Sequence, residues 1–142
     1  MNKKEKINEI MKKLLEDENL KKILIGVSND QCLSEDINDL EERNNLFAFL
    51  GMSLSLLFYS EILKLNTESN FVDFEEEKVN KITKDIKYNK ELNGLIKEIV
   101  DNEIDINESK IKYHLFLTIV LGMLINRNII CLNKEAKNKD LY

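Results

Sequence analysis

The chain has 142 residues, a mass of 16.7 kDa and a formal net charge of −5 at pH 7. A chain of this length fits one domain, which buries roughly two-thirds of its unfolded surface without disulfides or metals. Its basic residues are all lysines except Arg43 and Arg127. Arginine is the usual residue for phosphate and base-edge contacts, so this composition and the negative net charge argue against direct nucleic-acid binding.

The composition predicts an all-α fold. The chain has no proline and only four glycines, while 33% of its residues are charged and 43% are apolar, which favours helices over turns and strands. We predict a four-helix bundle built from two tandem helix-loop-helix repeats. Two central apolar helices are expected to be shielded by two charged amphipathic helices.

The first and third predicted helices are amphipathic and interrupted. The first runs from about Lys3 to Ile25, with a change of apolar phase at residues 16–19 and Gly26 as its stop. The third runs from about Glu75 to Val100, with a corresponding break at residues 87–90. Asp73 followed by Glu76 has the spacing of a capping box that would open this helix.

The second and fourth predicted helices carry no charge, over residues 46–60 and 113–126 with His114 neutral. A helix that is apolar on all sides lies either in a protein core or in a membrane. Fifteen residues span roughly 22 Å, which is short of the roughly 30 Å hydrocarbon layer. Glu61, Lys64 and Arg127 prevent extension, so we predict core helices and no membrane insertion.

The chain also resembles itself. Residues 6–14 are similar to residues 78–86, and the Leu-Gly-Met segment at Gly51 recurs at Gly122. This predicts one repeat over residues 4–65, a connector over 66–75, a second repeat over 76–133 and a polar tail over 134–142. We expect Gly51 and Gly122 to be equivalent and to lie where the two apolar helices cross.

The sequence predicts no catalytic residue, no cofactor and no metal site. His114 is the only histidine, and Cys32 and Cys131 belong to no metal-binding or redox motif. The acidic stretch 101–108 lacks the glycine and the closing glutamate of a calcium loop, because Ile106 and Lys112 stand at those positions. We expect reduced thiols, no export signal and a cytoplasmic location.

One segment combines aromatic rings with a run of acids, and we name residues 70–77 the acidic segment. Its predicted partner-binding residues are Phe71, Phe74, Glu75, Glu76 and Glu77. Aromatic anchors ringed by carboxylates suit a basic, partly apolar surface on another protein. In the alternative interpretation, Phe74 packs the third helix onto the core and the glutamates only favour its N-terminal dipole.

The predicted function is therefore that of a non-catalytic protein-binding module, an accessory, adaptor or inhibitor subunit with a basic protein partner. Acidic turns at residues 16–18 and 101–108 are expected to adjoin the binding surface.

A homodimer is a further expected assembly, because two all-apolar helices need covering. The bias toward lysine, asparagine and isoleucine is compatible with a low-GC bacterium or its phage, so the expected function includes a phage- or defence-related one. The alternative is a membrane-associated immunity or anchoring protein that uses the two apolar helices.

Overall fold

The computed structural model describes residues 1–30, 40–66, 72–135 and 139–142. These ranges are mostly helical, as the composition predicts, and contain two short strands. The chain divides into two compact units, Met1–Ser55 and Leu56–Tyr142. The elements are α1 (Lys3–Glu16), α2 (Glu18–Asp30), α3 (Leu40–Tyr59), β1 (Leu63–Leu65), α4 (Glu76–Tyr88), α5 (Lys90–Glu103), α6 (Asn107–Asn126) and β2 (Ile130–Leu132).

Six helices stand in the described ranges where four long ones were predicted, because each predicted interruption is a complete helix boundary. Asp17 and Asn89 both adopt extended backbone conformations. The Asp17 Oδ1 atom accepts a hydrogen bond from the Leu20 N–H at 3.1 Å, and the Asn89 Oδ1 atom accepts one from the Leu92 N–H at 3.0 Å. Each side chain thus caps a new helix, so the chain restarts instead of bending.

In the first unit, α1 packs against α2. The buried side chains follow helical spacing, with Ile7 and Leu14 on α1 and Leu20, Leu24 and Val27 on α2. The prediction that Gly26 ends this helix is wrong, since α2 continues to Asp30. A glycine costs a helix interior only about 1 kcal/mol, and the buried face on either side of it outweighs that penalty.

In the second unit, α6 is the central element, and α4 and α5 pack against it and against each other. Its fully buried residues include Leu117, Leu121 and Leu124. After α6 the chain forms β2, which pairs antiparallel with β1 in the register Leu63 to Leu132 and Leu65 to Ile130. The core of this unit is therefore a three-helix layer, with a two-stranded ladder at the C-terminal end of α6.

The two glycines of the repeated Leu-Gly-Met segment differ in position and surroundings. A Cβ atom on Gly122 would lie 2.7 Å from Thr83 Oγ1. The backbone of α6 at Gly122 therefore does approach another helix closely, and that helix is α4. A Cβ atom on Gly51 would meet no described atom within 4 Å. Gly51 is also the twelfth residue of α3 and Gly122 the sixteenth of α6. The prediction that the two glycines hold equivalent positions in their helices is therefore wrong.

The start of α4 differs from its predicted form. Glu75 is the N-cap residue and makes no side-chain capping bond, so the predicted capping box at Asp73 is wrong. The backbone N–H of Glu75 donates instead to Oδ1 of Asn126, at 3.1 Å. A partner from a distant helix thus satisfies this N–H.

The two apolar helices are longer than their uncharged stretches, because each extends back through polar residues to Leu40 or Asn107. Among the described residues, no helix combines the length and the hydropathy needed to cross a bilayer.

Candidate functional site

The acidic segment is described from residue 72 onward, and Phe71 lies outside the described residues. Phe74 and Val72 expose 45% and 42% of their surface. Glu75, Glu76 and Glu77 are exposed beside them. Phe74 is thus largely outside the core. This places an apolar and acidic surface where α4 begins.

Two backbone hydrogen bonds hold this segment against the end of α6. The first joins Glu75 N–H to the side chain of Asn126, which is itself buried. In the second, the Val72 N–H donates to the carbonyl of Arg127 at 3.4 Å. A segment tied at two points loses less conformational freedom on binding than a free loop.

A second candidate surface is a cleft between α5 and α6, with a volume of about 460 Å³. We name it the α5–α6 cleft. Ile111 exposes 81% and Leu115 45% of its surface, so the cleft is open to solvent. Asp101 and Lys110 face each other at 3.8 Å. The lining residues are Lys97, Val100, Asp101, Lys110, Ile111, His114 and Leu115.

His114 is half-buried in this cleft, and its surroundings favour the neutral imidazole. Burial lowers the pKa of His114 below its ordinary value, and the charge of Lys87 lowers it further. Asp101 acts in the opposite direction, and Lys97 adds to the lowering. The neutral imidazole is therefore favoured chiefly by burial and only secondarily by the nearby lysines.

We expect His114 to titrate below its ordinary pKa of 6.5 in the folded protein. Between the folded and unfolded pKa values the unfolded chain binds more protons, so stability falls as the pH decreases through this interval and is fully present above about pH 6.5. The imidazole NMR signal measures the pKa, and His114→Phe should remove this part of the pH dependence. A midpoint at or above 6.5 would contradict the expectation.

The first unit contains a smaller cleft, of about 300 Å³, between α2 and α3. We name it the α2–α3 cleft. The Nε atom of Arg43 is buried there and has no hydrogen-bond partner among the described residues. The lining residues are Lys21, Ile25, Ser28, Asn29, Arg43, Asn44 and Phe47.

The two clefts use the same positions of their helices. The fourth, fifth and eighth residues of the 20-residue helices line both clefts, as Arg43, Asn44 and Phe47 in α3 and as Lys110, Ile111 and His114 in α6. The eighth, eleventh and twelfth residues of the preceding helices also line both, as Ile25, Ser28 and Asn29 in α2 and as Lys97, Val100 and Asp101 in α5. A cation thus stands at the same helical position in each cleft.

Two further polar side chains, Cys131 and Lys139, are not among the residues that line either cleft. Cys131 is a free thiol on β2, and Cys32 lies outside the described residues. Within the ranges that the structure describes, no three histidine, cysteine, aspartate or glutamate residues are grouped closely enough to hold a metal ion.

The Lys139 ammonium contacts the Glu61 carboxylate at 3.1 Å and lies 5.4 Å from the centre of the Tyr59 ring. These contacts fix the last residues of the chain to the loop before β1.

Comparison with protein-family models, with curated proteins and with solved structures finds no match to this chain. The fold is mostly helical, and the acidic segment and the two clefts are its candidate surfaces.

Proposed function

We propose that the protein is a non-catalytic protein-binding module, an accessory, adaptor or inhibitor subunit whose acidic segment docks on a basic partner in the cytoplasm. The observation that carries the proposal is the exposure of Phe74 within a run of exposed carboxylates. Val72 adds a second exposed apolar side chain two residues earlier. Aromatic anchors of this kind contribute much of the binding energy at protein interfaces.

The backbone bonds from Val72 and Glu75 to the end of α6 support this proposal. They present Phe74 from a fixed backbone, which reduces the entropy lost when a partner binds. Glu75 also lies 3.3 Å from Lys78, so its charge is partly balanced. Glu76 and Glu77 are then the main source of electrostatic attraction toward a basic surface. This attraction mostly increases the association rate.

The same proposal includes an internal duplication of the chain. Two short helices, a 20-residue helix and a three-residue strand occur twice in the same order among the described residues. The two non-glycine residues with positive φ there, Glu61 and Asn128, each lie two residues beyond a 20-residue helix. Together with the matched cleft positions, these features favour two tandem copies of one unit.

Charge reversal tests the binding surface. The triple variant Glu75→Lys, Glu76→Lys and Glu77→Lys is expected to weaken partner binding at least about tenfold while leaving the fold intact, because exposed carboxylates contribute little to stability. Phe74→Ser should also weaken binding. The partner would be defined by quantitative mass spectrometry, as a protein captured by the native chain and lost with the triple variant. The association rate of the purified pair is then measured by surface plasmon resonance.

The matched control reverses three exposed glutamates outside the surface, namely Glu5→Lys, Glu9→Lys and Glu41→Lys. This control has the same net charge as the test variant, so only a local effect distinguishes the two. Binding that is equally strong for both variants, or that does not slow between low and physiological salt, would contradict the proposal.

A further inference from the structure

The geometry of the second unit points to a further binding site: the α5–α6 cleft accepts an acidic amphipathic helix from a partner protein. This site is separate from the acidic segment and has the opposite charge requirement. On the α6 side the site is lined by Ile111, His114 and Leu115, and on the α5 side by Lys97 and Val100. Its occupant is inferred from shape and from charge.

Shape favours a helix. Ile111 and Leu115 are four residues apart on α6, so their side chains lie one above the other on one face. Both are largely exposed although they line an apolar cleft between two packed helices. A groove of this kind accepts the apolar face of a third helix, whose side chains at intervals of three and four residues fill it.

The openness of the cleft argues against a small molecule as the natural occupant. Small-ligand sites generally bury most of the ligand surface. Here Ile111 remains 81% exposed, so a small apolar molecule resting on it would keep much of its own surface in water. A helix extends beyond the cleft and covers Ile111 and Leu115 together.

Charge specifies an acidic partner. Lys97 and Lys110 line the cleft, and Lys87 lies close enough to act on His114. Asp101 is the one acidic residue in the lining, and Lys110 faces it at 3.8 Å. Within the lining itself, two lysines therefore stand against one aspartate around an apolar floor. Glutamates flanking the apolar face of a bound helix would meet these ammonium groups.

The α2–α3 cleft of the first unit has a similar composition. It combines a similar apolar floor, from Ile25 and Phe47, with cations from Lys21 and Arg43. The buried Nε atom of Arg43 lacks a hydrogen-bond partner among the described residues. Lys110 occupies the helical position of Arg43. An apolar floor with a cationic rim thus recurs at the same place in both units.

The test uses the full chain and a synthetic peptide of about 15 residues, long enough to form a helix. The peptide carries leucines at intervals of three and four residues and glutamates elsewhere. A matched peptide has lysines in place of the glutamates. His114 is the only histidine in the chain, so its imidazole NMR signal reports on this cleft alone. We expect the acidic peptide to shift this signal saturably and to raise its pKa, and the basic peptide to bind at least about tenfold more weakly.

Two matched pairs of variants localise the effect. Leu115→Ser is expected to weaken binding of the acidic peptide about tenfold, whereas Leu132→Ser, at a leucine of similar exposure on β2, should not. Lys110→Glu should weaken it, whereas Lys112→Glu, which gives the same net charge on the same helix outside the cleft lining, should not. If Leu115→Ser unfolds the protein, Ile111→Ser replaces it, since Ile111 is mostly exposed already.

Three results would overturn the inference. The first is an unchanged His114 signal with the acidic peptide, or equal binding of both peptides. The second is a shift of this signal on concentrating the protein alone, which would assign the cleft to a second copy of the chain. The third is saturation by decanoate at least as tight as by the peptide, which would assign it to small aliphatic anions.

Discussion

Leu92→Ala is expected to lower the free energy of unfolding by about 2 to 5 kcal/mol, because the side chain is fully buried and its removal leaves a cavity. Leu92 is the third residue after the Asn89 boundary, and its own N–H is bonded to the Asn89 cap. The substitution keeps this backbone bond and removes only packing. Chemical denaturation monitored by circular dichroism measures the change.

Leu20→Ala provides the comparison in the first unit. Leu20 is also fully buried and also follows its capping residue, Asp17, by three positions. We expect a loss in the same range, since the two side chains have the same size, burial and local hydrogen bonding. Lys22→Ala, at an exposed position of α2, should change stability by less than about 0.5 kcal/mol. A loss below about 1 kcal/mol at Leu20 or Leu92 would show that the burial there is wrong.

Alanine substitution of Gly51 and of Gly122 is expected to have effects of opposite sign. At Gly122 the added Cβ atom would lie 2.7 Å from Thr83 Oγ1, and that hydroxyl is itself bonded to the Val79 carbonyl at 2.7 Å. The neighbour cannot move without losing this bond, so Gly122→Ala should cost about 1 to 3 kcal/mol. Gly51→Ala should stabilise the protein by about 0.5 to 1 kcal/mol, since nothing described lies within 4 Å and alanine favours a helix.

A double-mutant cycle tests the cause. Thr83→Ala removes the hydroxyl that the new methyl group would meet, and the next atom, the Val79 carbonyl oxygen, lies at 3.4 Å. The combined variant Thr83→Ala and Gly122→Ala should therefore be more stable than the sum of the single changes implies. Additive losses would mean that the cost at Gly122 does not come from this contact.

Much of the helical structure follows from periodicity. The change of apolar phase after Leu14 and after Ile86 predicts interruptions, and the boundaries at Asp17 and Asn89 confirm them. Periodicity alone did not distinguish a bend from a restart. The distinction lies in a capping side chain, and Asp17 and Asn89 are of the residue types that cap helices. The missed helix starts at Leu40 and Asn107 lie in charged stretches where no apolar stripe marks them.

The register of the proposed repeat could not be obtained from the Leu-Gly-Met match. In an apolar helix, a shift of four residues keeps the same face, so a comparison of apolar residues does not detect an error of one turn. Gly51 and Gly122 differ in helical position by that amount. The irregular residues Glu61 and Asn128 fix the register better, because positive φ marks one particular place beyond a helix end.

The acidic segment was identified from sequence because its residues are contiguous. The α5–α6 cleft was not, because its lining comes from two helices and each residue taken alone has an ordinary explanation. Lys97 resembles a surface lysine and His114 resembles a boundary residue at a helix start. Only the packing of α5 on α6 brings them together with Ile111. In the sequence, the available indication of this cleft was Ile111, an apolar residue that stands among charged ones.

The ladder between β1 and β2 has a consequence for the order in which the second unit assembles. Its paired residues Leu63 and Leu132 are 69 positions apart in the chain, whereas α4, α5 and α6, which pack against one another, follow directly in sequence. Joining such distant segments has a large loop-closure entropy and gives only three residue pairs in return. The ladder is therefore expected to form after the main folding barrier, once α4, α5 and α6 have packed. Substitutions that weaken the ladder would therefore mainly accelerate unfolding. The two short strands slow the unfolding of the helical unit and have little effect on its folding rate.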